Sequence, residues 1–199
     1  MKTSTLAQFE GGAVGATDNI RPYVFALMQN EGAQKLGPNP CGLDIGCASY
    51  KLMSSAIGID TRRGDIGSEY MIGNTITKDA ETVNLVGDGV TIPWFMPRTM
   101  DYIFSSHMLE HVPHSEAMGA LSRWHEVLKN GGMLILYLPD VRCGEMDIHE
   151  WHPDHEQVAN QLENELGMRD VTVWTPREDL PLGRTTGSLR YSFLLWATK

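Results

Sequence analysis

Three aspartates and a cluster of histidines carry the chemistry this chain has to offer. Asp44, Asp60 and Asp88 each close a short apolar run, in Gly42-Leu43-Asp44-Ile45-Gly46, Ala56-Ile57-Gly58-Ile59-Asp60 and Thr82-Val83-Asn84-Leu85-Val86-Gly87-Asp88-Gly89. A carboxylate at the end of a strand accepts hydrogen bonds from ribose hydroxyls, and Gly46 gives the first run the sharp turn that exposes backbone N–H groups to a ligand. All seven histidines lie between His107 and His155. Imidazole titrates nearest neutral pH, so His107, His111, His149 and His152, in that order, are the candidates for a general base. Glu110 lies between the first two and suits orienting a helix start or a neighbouring histidine. The run Asp147-Ile148-His149-Glu150-Trp151-His152-Pro153-Asp154-His155 also offers imidazoles and carboxylates of the kind a divalent ion takes. Its spacing matches no standard ligand pattern and Pro153 prevents a regular helix, so no metal is assigned.

These residues must be positioned by the elements around them. Strands are expected at 41–45, 56–60, 82–86, 101–106, 133–138, 171–174 and 192–197, from their apolar and β-branched content and the turn residues that bound them. Between them the chain reads as helix or loop. Thr17 or Asp18 caps a helix with Ile20, Val24, Leu27 and Met28 on one face, expected to end near Asn30. Ser115 caps a helix carrying Met118, Leu121, Trp124 and Leu128, which Lys129-Asn130-Gly131-Gly132 should stop. His155 to Leu166 is a third helix, with Gly167 as its stop. Residues 1–17 are read as an arm or a lid over the site, and 61–80 as loop. The crossover from Asp44 to Asp60 is short, with room for a turn and about two helical turns. Strands alternating with helices define an α/β fold, a doubly wound sheet that is mostly parallel with helices on both faces, in a single domain over 1–199.

Composition narrows the partners. The 199 residues include 42% apolar and 21% charged residues, ordinary for a globular chain. A net charge of −9 and basic residues that do not cluster argue against a nucleic-acid duplex as partner. No apolar run approaches the ~20 residues that cross a bilayer, and the first residues lack the apolar core of a signal peptide, so no membrane association and a cytoplasmic setting are expected. Three cysteines, Cys41, Cys47 and Cys143, form no Cys-x-x-Cys pair and point to reduced thiols rather than a disulfide framework. Nothing in the chain speaks to its oligomeric state.

In a doubly wound sheet the ligand sits beyond the carboxyl ends of the strands where strand order reverses, so Asp44 to Gly46, Asp60, Asp88 and Ser105 to His107 should line one crevice. Three acids there would repel a pyrophosphate and suit a ligand with a ribose, an adenine amino group, an ammonium and a positive sulfur. The first turn also lacks the G-x-G-x-x-G spacing of dinucleotide folds. This favours S-adenosylmethionine over a nicotinamide dinucleotide, and leaves a nicotinamide-dependent reductase and a binding module without turnover as alternatives.

Two blocks carry a family resemblance: Met100-Asp101-Tyr102-Ile103-Phe104-Ser105-Ser106-His107-Met108-Leu109-Glu110-His111-Val112, and Glu126-Val127-Leu128-Lys129-Asn130-Gly131-Gly132-Met133-Leu134. Together they resemble segments of class I S-adenosylmethionine-dependent methyltransferases of the type 11 group, with Asn130 where proline is usual, and the resemblance runs from about Gly42 to Asp140. It implies a Rossmann-like methyltransferase sheet with an antiparallel C-terminal strand, S-adenosylmethionine as cofactor, and methyl transfer to a small-molecule acceptor, a sugar hydroxyl being the first expectation. It also implies that Asp44, Gly46 and Ala48 approach the methionine part of the cofactor, with Ile45 and Cys47 beside them. Asp60 with Thr61 would meet the ribose, Asp88 and Gly89 the adenine, and Ser105, Ser106 and His107 would close the pocket near the sulfur. The His-Pro pair at 152–153 then reads as the lead-in to the next helix. Where the group usually has D-x-G-x-G-x-G, this chain has Ala48 and Tyr50 in place of the later glycines, and Tyr50 either caps the short crossover or occludes the cofactor. Arg184, Arg190 and Tyr191 are candidates for contacting a polar or anionic acceptor.

Overall fold

A computed structural model describes residues 2–3, 24, 26–47, 51, 53, 55–61, 83–141, 149–175 and 192–199. The strands are β1 (Lys2–Thr3), β2 (Gly42–Ile45), β3 (Ile57–Asp60), β4 (Leu85–Val86), β5 (Met100–Ser106), β6 (Leu128–Pro139), β7 (Arg169–Trp174) and β8 (Ser192–Thr198). They form one sheet in the order β1-β7-β8-β6-β5-β2-β3-β4. Every neighbouring pair is parallel except β8, which runs antiparallel to both β6 and β7. The helices are α1 (Ala33–Leu36), which continues a π-helical turn at Met28–Gly32, α2 (His114–Val127), and α3 (His155–Asn160), which runs on into a π-helical turn at Gln161–Glu165.

The period-2 alternation of the buried strands sorts their side chains onto two faces. Along β6, Leu134, Leu136 and Leu138 join Leu43, Ile45, Ile103 and Leu195 in a core with Ala117, Leu121 and Trp124 of α2 and Val158 of α3. Met133, Ile135 and Tyr137 point the other way, into a second core with Tyr102, Phe104 and Trp196 that Val24, Leu27 and Met28 of the first helical stretch cover. Helices on opposite faces make the sheet doubly wound, as the sequence pattern requires. At about 25 cal/mol per Å² of apolar area, each such fully buried side chain contributes on the order of 1.5–3 kcal/mol.

Three local expectations are corrected. The first helical stretch does not end near Asn30 but continues to Leu36, where Gly37 stops it with φ +82°. Lys35 holds this end to the sheet through Asp170 (3.2 Å) and Thr198 (3.0 Å), so tertiary contacts extend the helix past its apolar stripe. Helix α2 begins at His114 behind Pro113 with no side-chain cap, so Ser115 lies inside its first turn. Its end is at Val127, and the residues from Leu128 already belong to β6; the pairing with β5 slips between Met100 and Tyr102, so Lys129 to Gly132 bulge within the strand. The terminal Lys199 supplies the cation that Lys129 was expected to give: its Nζ donates to the carbonyls of His125 (2.6 Å) and Leu128 (2.8 Å) at the negative end of α2. Of residues 1–17, read as an arm or a lid, the structure describes one short strand, Lys2–Thr3, and the rest lie outside the described residues. That strand pairs in parallel with Thr172 and Val173 at the far edge of the sheet. The proposed cap at Thr17 or Asp18 and the loop at 62–80 lie outside the described residues.

Candidate functional site

Strands β2 and β5 are neighbours from which the chain winds in opposite directions, toward β3 and β4 on one side and β6 on the other. The crevice of a doubly wound sheet opens beyond the carboxyl ends of such a pair. There Gly46 turns the chain with φ +74°, its N–H donating to the carbonyl of Ile59 at 2.8 Å. A Cβ at Gly46 would lie 2.9 Å from Cβ of Met108, and one at Gly89 would lie 2.5 Å from Cγ2 of Ile45 and 3.2 Å from Cε of Met108. The segments after β2, β4 and β5 therefore interlock around Met108, and glycine is required by space and, at Gly46, by backbone conformation. His107, the first residue past β5, is itself held at φ +48°, an uncommon conformation for a side-chain-bearing residue and one that clusters at functional positions.

Two of the three acids converge. Asp44 is buried in β2, and Asp60 ends β3 with its Oδ1 within 3.4 Å of the Thr61 hydroxyl. Burial first, then the Asp44 and Asp60 carboxylates, push the Cys47 thiol up to about 12, against smaller opposing pulls from a backbone hydrogen bond and Lys51. The thiol is thus neutral and feels both acids at once. Asp88 is used differently. It is exposed, and its carboxylate accepts from Val90 N (2.8 Å), Thr91 N (3.3 Å) and Thr91 Oγ1 (2.7 Å), closing its own turn. Its slight burial would raise its pKa, but those hydrogen bonds outweigh burial and hold the carboxyl below its ordinary range. Helix α2 fixes the same loop: Trp124 Nε1 donates to Gly89 O at 2.8 Å, and Arg123 to Phe95 O at 2.6 Å and Thr91 O at 3.2 Å. The hydroxyls of Ser105 and Ser106 are buried and have no hydrogen-bond partner among the described residues. Anionic groups, a glycine turn and unspent hydroxyls fit an adenosyl sulfonium, whose positive charge and ribose hydroxyls they complement. They do not fit a pyrophosphate. Ala48, Ser49 and Tyr50 lie outside the described residues.

The other side of the crevice is built on one carboxylate. Glu110 is fully buried in the 3₁₀ turn Leu109–His111 and lies 3.1 Å from His107 Nδ1 and 3.9 Å from His111 Nε2. The His107 ring stands edge-on to Tyr137, centroid to centroid 4.9 Å. The His111 ring meets His149 at 5.3 Å, and His149 meets His152 at 5.7 Å. All four ranked histidines therefore form one chain of neighbours around Glu110. Burial lowers the pKa of His149 more than the Glu110 carboxylate raises it, and the nearby His111, His152 and His107 add to the lowering, which favours the neutral imidazole. The sequence places His149 39 residues after Glu110, and two hydrogen bonds close that gap: Trp151 Nε1 to Leu109 O (2.7 Å, buried) and Glu150 N to Glu110 O (2.8 Å). Trp151, a large aromatic inside a polar histidine run, is the signal that could have located this clamp. Met108 carried no such signal. Asp140, buried at the end of β6, pairs with His155 at 2.6 Å and takes that histidine out of the cluster. Arg184, Arg190, Tyr191, Asp147 and Ile148 lie outside the described residues.

A doubly wound sheet with an antiparallel final strand and an acid-lined crevice at the β2–β5 switch defines the class I S-adenosylmethionine-dependent methyltransferase fold. Residues 43–136 match the family model described as methyltransferase domain, which bears out the resemblance of the two sequence blocks. Among solved structures, a SAM-dependent methyltransferase from Archaeoglobus fulgidus is similar with a TM-score of 0.62 at 16% identity, over 90% of this chain and 94% of that one. Phosphoethanolamine N-methyltransferase 2 of Haemonchus contortus, in complex with S-adenosyl-L-methionine, is similar with a TM-score of 0.56 at 16% identity; 92% of this chain covers 58% of that one. At these identities the likeness is one of fold. No curated protein sequence matches the chain. No helix among the described residues is long and apolar enough to cross a membrane.

Proposed function

We propose that the protein transfers the methyl group of S-adenosylmethionine to a hydroxyl of a small-molecule acceptor, with a sugar hydroxyl the first class to test. Bound in the crevice, S-adenosylmethionine supplies an electrophilic methyl group on a positively charged sulfur. Asp60 and Thr61 would hold the ribose, the turn at Asp44 to Gly46 with Cys47 the methionine part, the Asp88–Gly89 turn the adenine, and Ser105 and Ser106 the wall near the sulfur. The observation that carries the acceptor class is the His107–Glu110 pair. With Nδ1 3.1 Å from the buried Glu110 carboxylate, a neutral imidazole would carry its proton on Nδ1 and leave the lone pair on Nε2, which has no partner among the described residues. Amines need no such base once neutral, whereas a hydroxyl must lose a proton as its oxygen attacks, and His107 Nε2 would take it.

The test is methyl transfer from S-adenosylmethionine labelled in its methyl group to a panel of free and nucleotide-linked sugars, with small primary amines in parallel. Label is expected in O-methyl sugar, with turnover falling about 10²–10⁴-fold in His107→Ala. Label only in amine acceptors, or undiminished turnover in that variant, would overturn the reading.

A further inference from the structure

Glu110 has more carboxylate than His107 uses. Its Oε2 is buried, with no hydrogen-bond partner among the described residues, as is Nδ1 of His149. Leaving such buried groups unpaired is costly unless a ligand completes them. Glu110, His111 and His149 each offer a ligand atom, and these atoms all lie within 4.8 Å of one another. Metal–ligand bonds of about 2.1 Å place ligands opposite each other about 4.2 Å apart, so a small inward movement of each side chain completes a site.

We infer that Glu110, His111 and His149 form a binding site for a divalent first-row transition metal, beside the His107 base. One carboxylate and two imidazoles are the donors that zinc, manganese, iron or cobalt accept, and three protein ligands leave coordination positions open. The frame is already built, because the hydrogen bonds of Trp151 and Glu150 to the 109–111 turn hold His149 against the other two ligands. His152, 5.7 Å from His149 between ring centroids, is the next donor outward. The site departs from the sequence expectation of no metal because two of its ligands come from the turn after β5, outside the histidine run that suggested a metal. On the proposed methyl transfer, on which this clause rests, an open position holds the acceptor's hydroxyl oxygen and lowers its pKa, and His107 receives the proton.

The experiment is titration of the full chain, stripped with a chelator, with Co²⁺ alone, followed by visible ligand-field absorption. One equivalent is expected to bind, with affinity falling about 10–100-fold or more in His111→Ala and in His149→Ala, and unchanged in His125→Ala, whose ring is on α2 outside the cluster. Glu110→Gln tests the carboxylate; because Glu110 is buried, circular dichroism must first show that the variant folds, and the half-buried His149 remains the decisive position. No Co²⁺ bound by the folded wild type, or equal affinity in a folded His111→Ala/His149→Ala double variant, would overturn the site. Binding is read without turnover. Loss of Co²⁺ binding therefore sinks this inference alone, and failure to methylate any sugar with Co²⁺ bound sinks the proposed acceptor alone.

Discussion

After β2, β3 and β4 the crevice is shaped by backbone, glycines and acids that sit at strand ends, whereas after β5 and β6 it is shaped by imidazoles around one buried carboxylate. On the first side the packing is closed. Gly46 and Gly89 have no room for a methyl group, and the Asp88 carboxylate is already consumed by its own turn. On the second side polar atoms are left over: His107 Nε2, Glu110 Oε2 and His149 Nδ1 are buried without partners among the described residues. A folded chain keeps such groups at a cost in stability, and it does so where a ligand completes them. On the proposed methyl transfer, the first side would hold the cofactor and the second would meet the acceptor.

That contrast can be broken at several points. Trp151→Ala removes a nearly buried indole and its hydrogen bond to Leu109 O, and is expected to destabilise the fold by about 3–5 kcal/mol in a denaturant titration. At temperatures where it remains folded, its S-adenosylmethionine affinity should match the wild type, since the lost clamp serves the acceptor side; a cofactor defect of tenfold or more would erase the division. Asp60→Ala should weaken cofactor binding by about 1–3 kcal/mol through lost charged hydrogen bonds, with little change in melting temperature. Unchanged affinity would show that the ribose lies elsewhere. Gly46→Ala should lose about 1 kcal/mol or slightly more of stability, because alanine is strained at φ +74° and its Cβ would press on Met108, and part of that loss should appear in cofactor affinity by calorimetry. Trp124→Phe keeps most of the buried ring but drops the bond to Gly89 O, and a change of about 1 kcal/mol is expected. The smallest effect is kinetic: at pH 8 iodoacetamide should label exposed Cys41 well before Cys47, whose buried thiol stays protonated, as peptide mass mapping would show.

Much of the sheet is legible in the sequence because its signals are local. Continuous apolar runs such as Met133 to Leu138 mark strands buried on both faces, and the acids and small residues that end them mark the crevice. Asp44, Gly46, Asp60 and His107 are found at the strand ends where their types imply. Boundaries were less legible where distant residues set them. Helix α2 ends at Val127, where Leu128 turns extended and pairs with Met100 of β5, and Lys199 from the other end of the chain binds the carbonyls there; no local pattern around Lys129 carries that information. The strand expected at 82–86 is seen only as β4, Leu85–Val86; just before it Asn84 meets Gly58 twice, its N–H donating to Gly58 O and its side-chain oxygen accepting the Gly58 N–H, each at 2.9 Å, and Thr82 lies outside the described residues. The three residues of the proposed metal site are separated in the same way: Glu110 and His111 follow β5, and His149 comes from the histidine run after β6.

The central claim is that the acid-lined crevice receives a sulfonium nucleoside, and calorimetric titration of the full chain with S-adenosylmethionine, and in parallel with NADH, tests it most directly. The account predicts a single S-adenosylmethionine site that Asp60→Ala weakens, and no comparable heat from NADH. Tight NADH binding with no response to S-adenosylmethionine would contradict it.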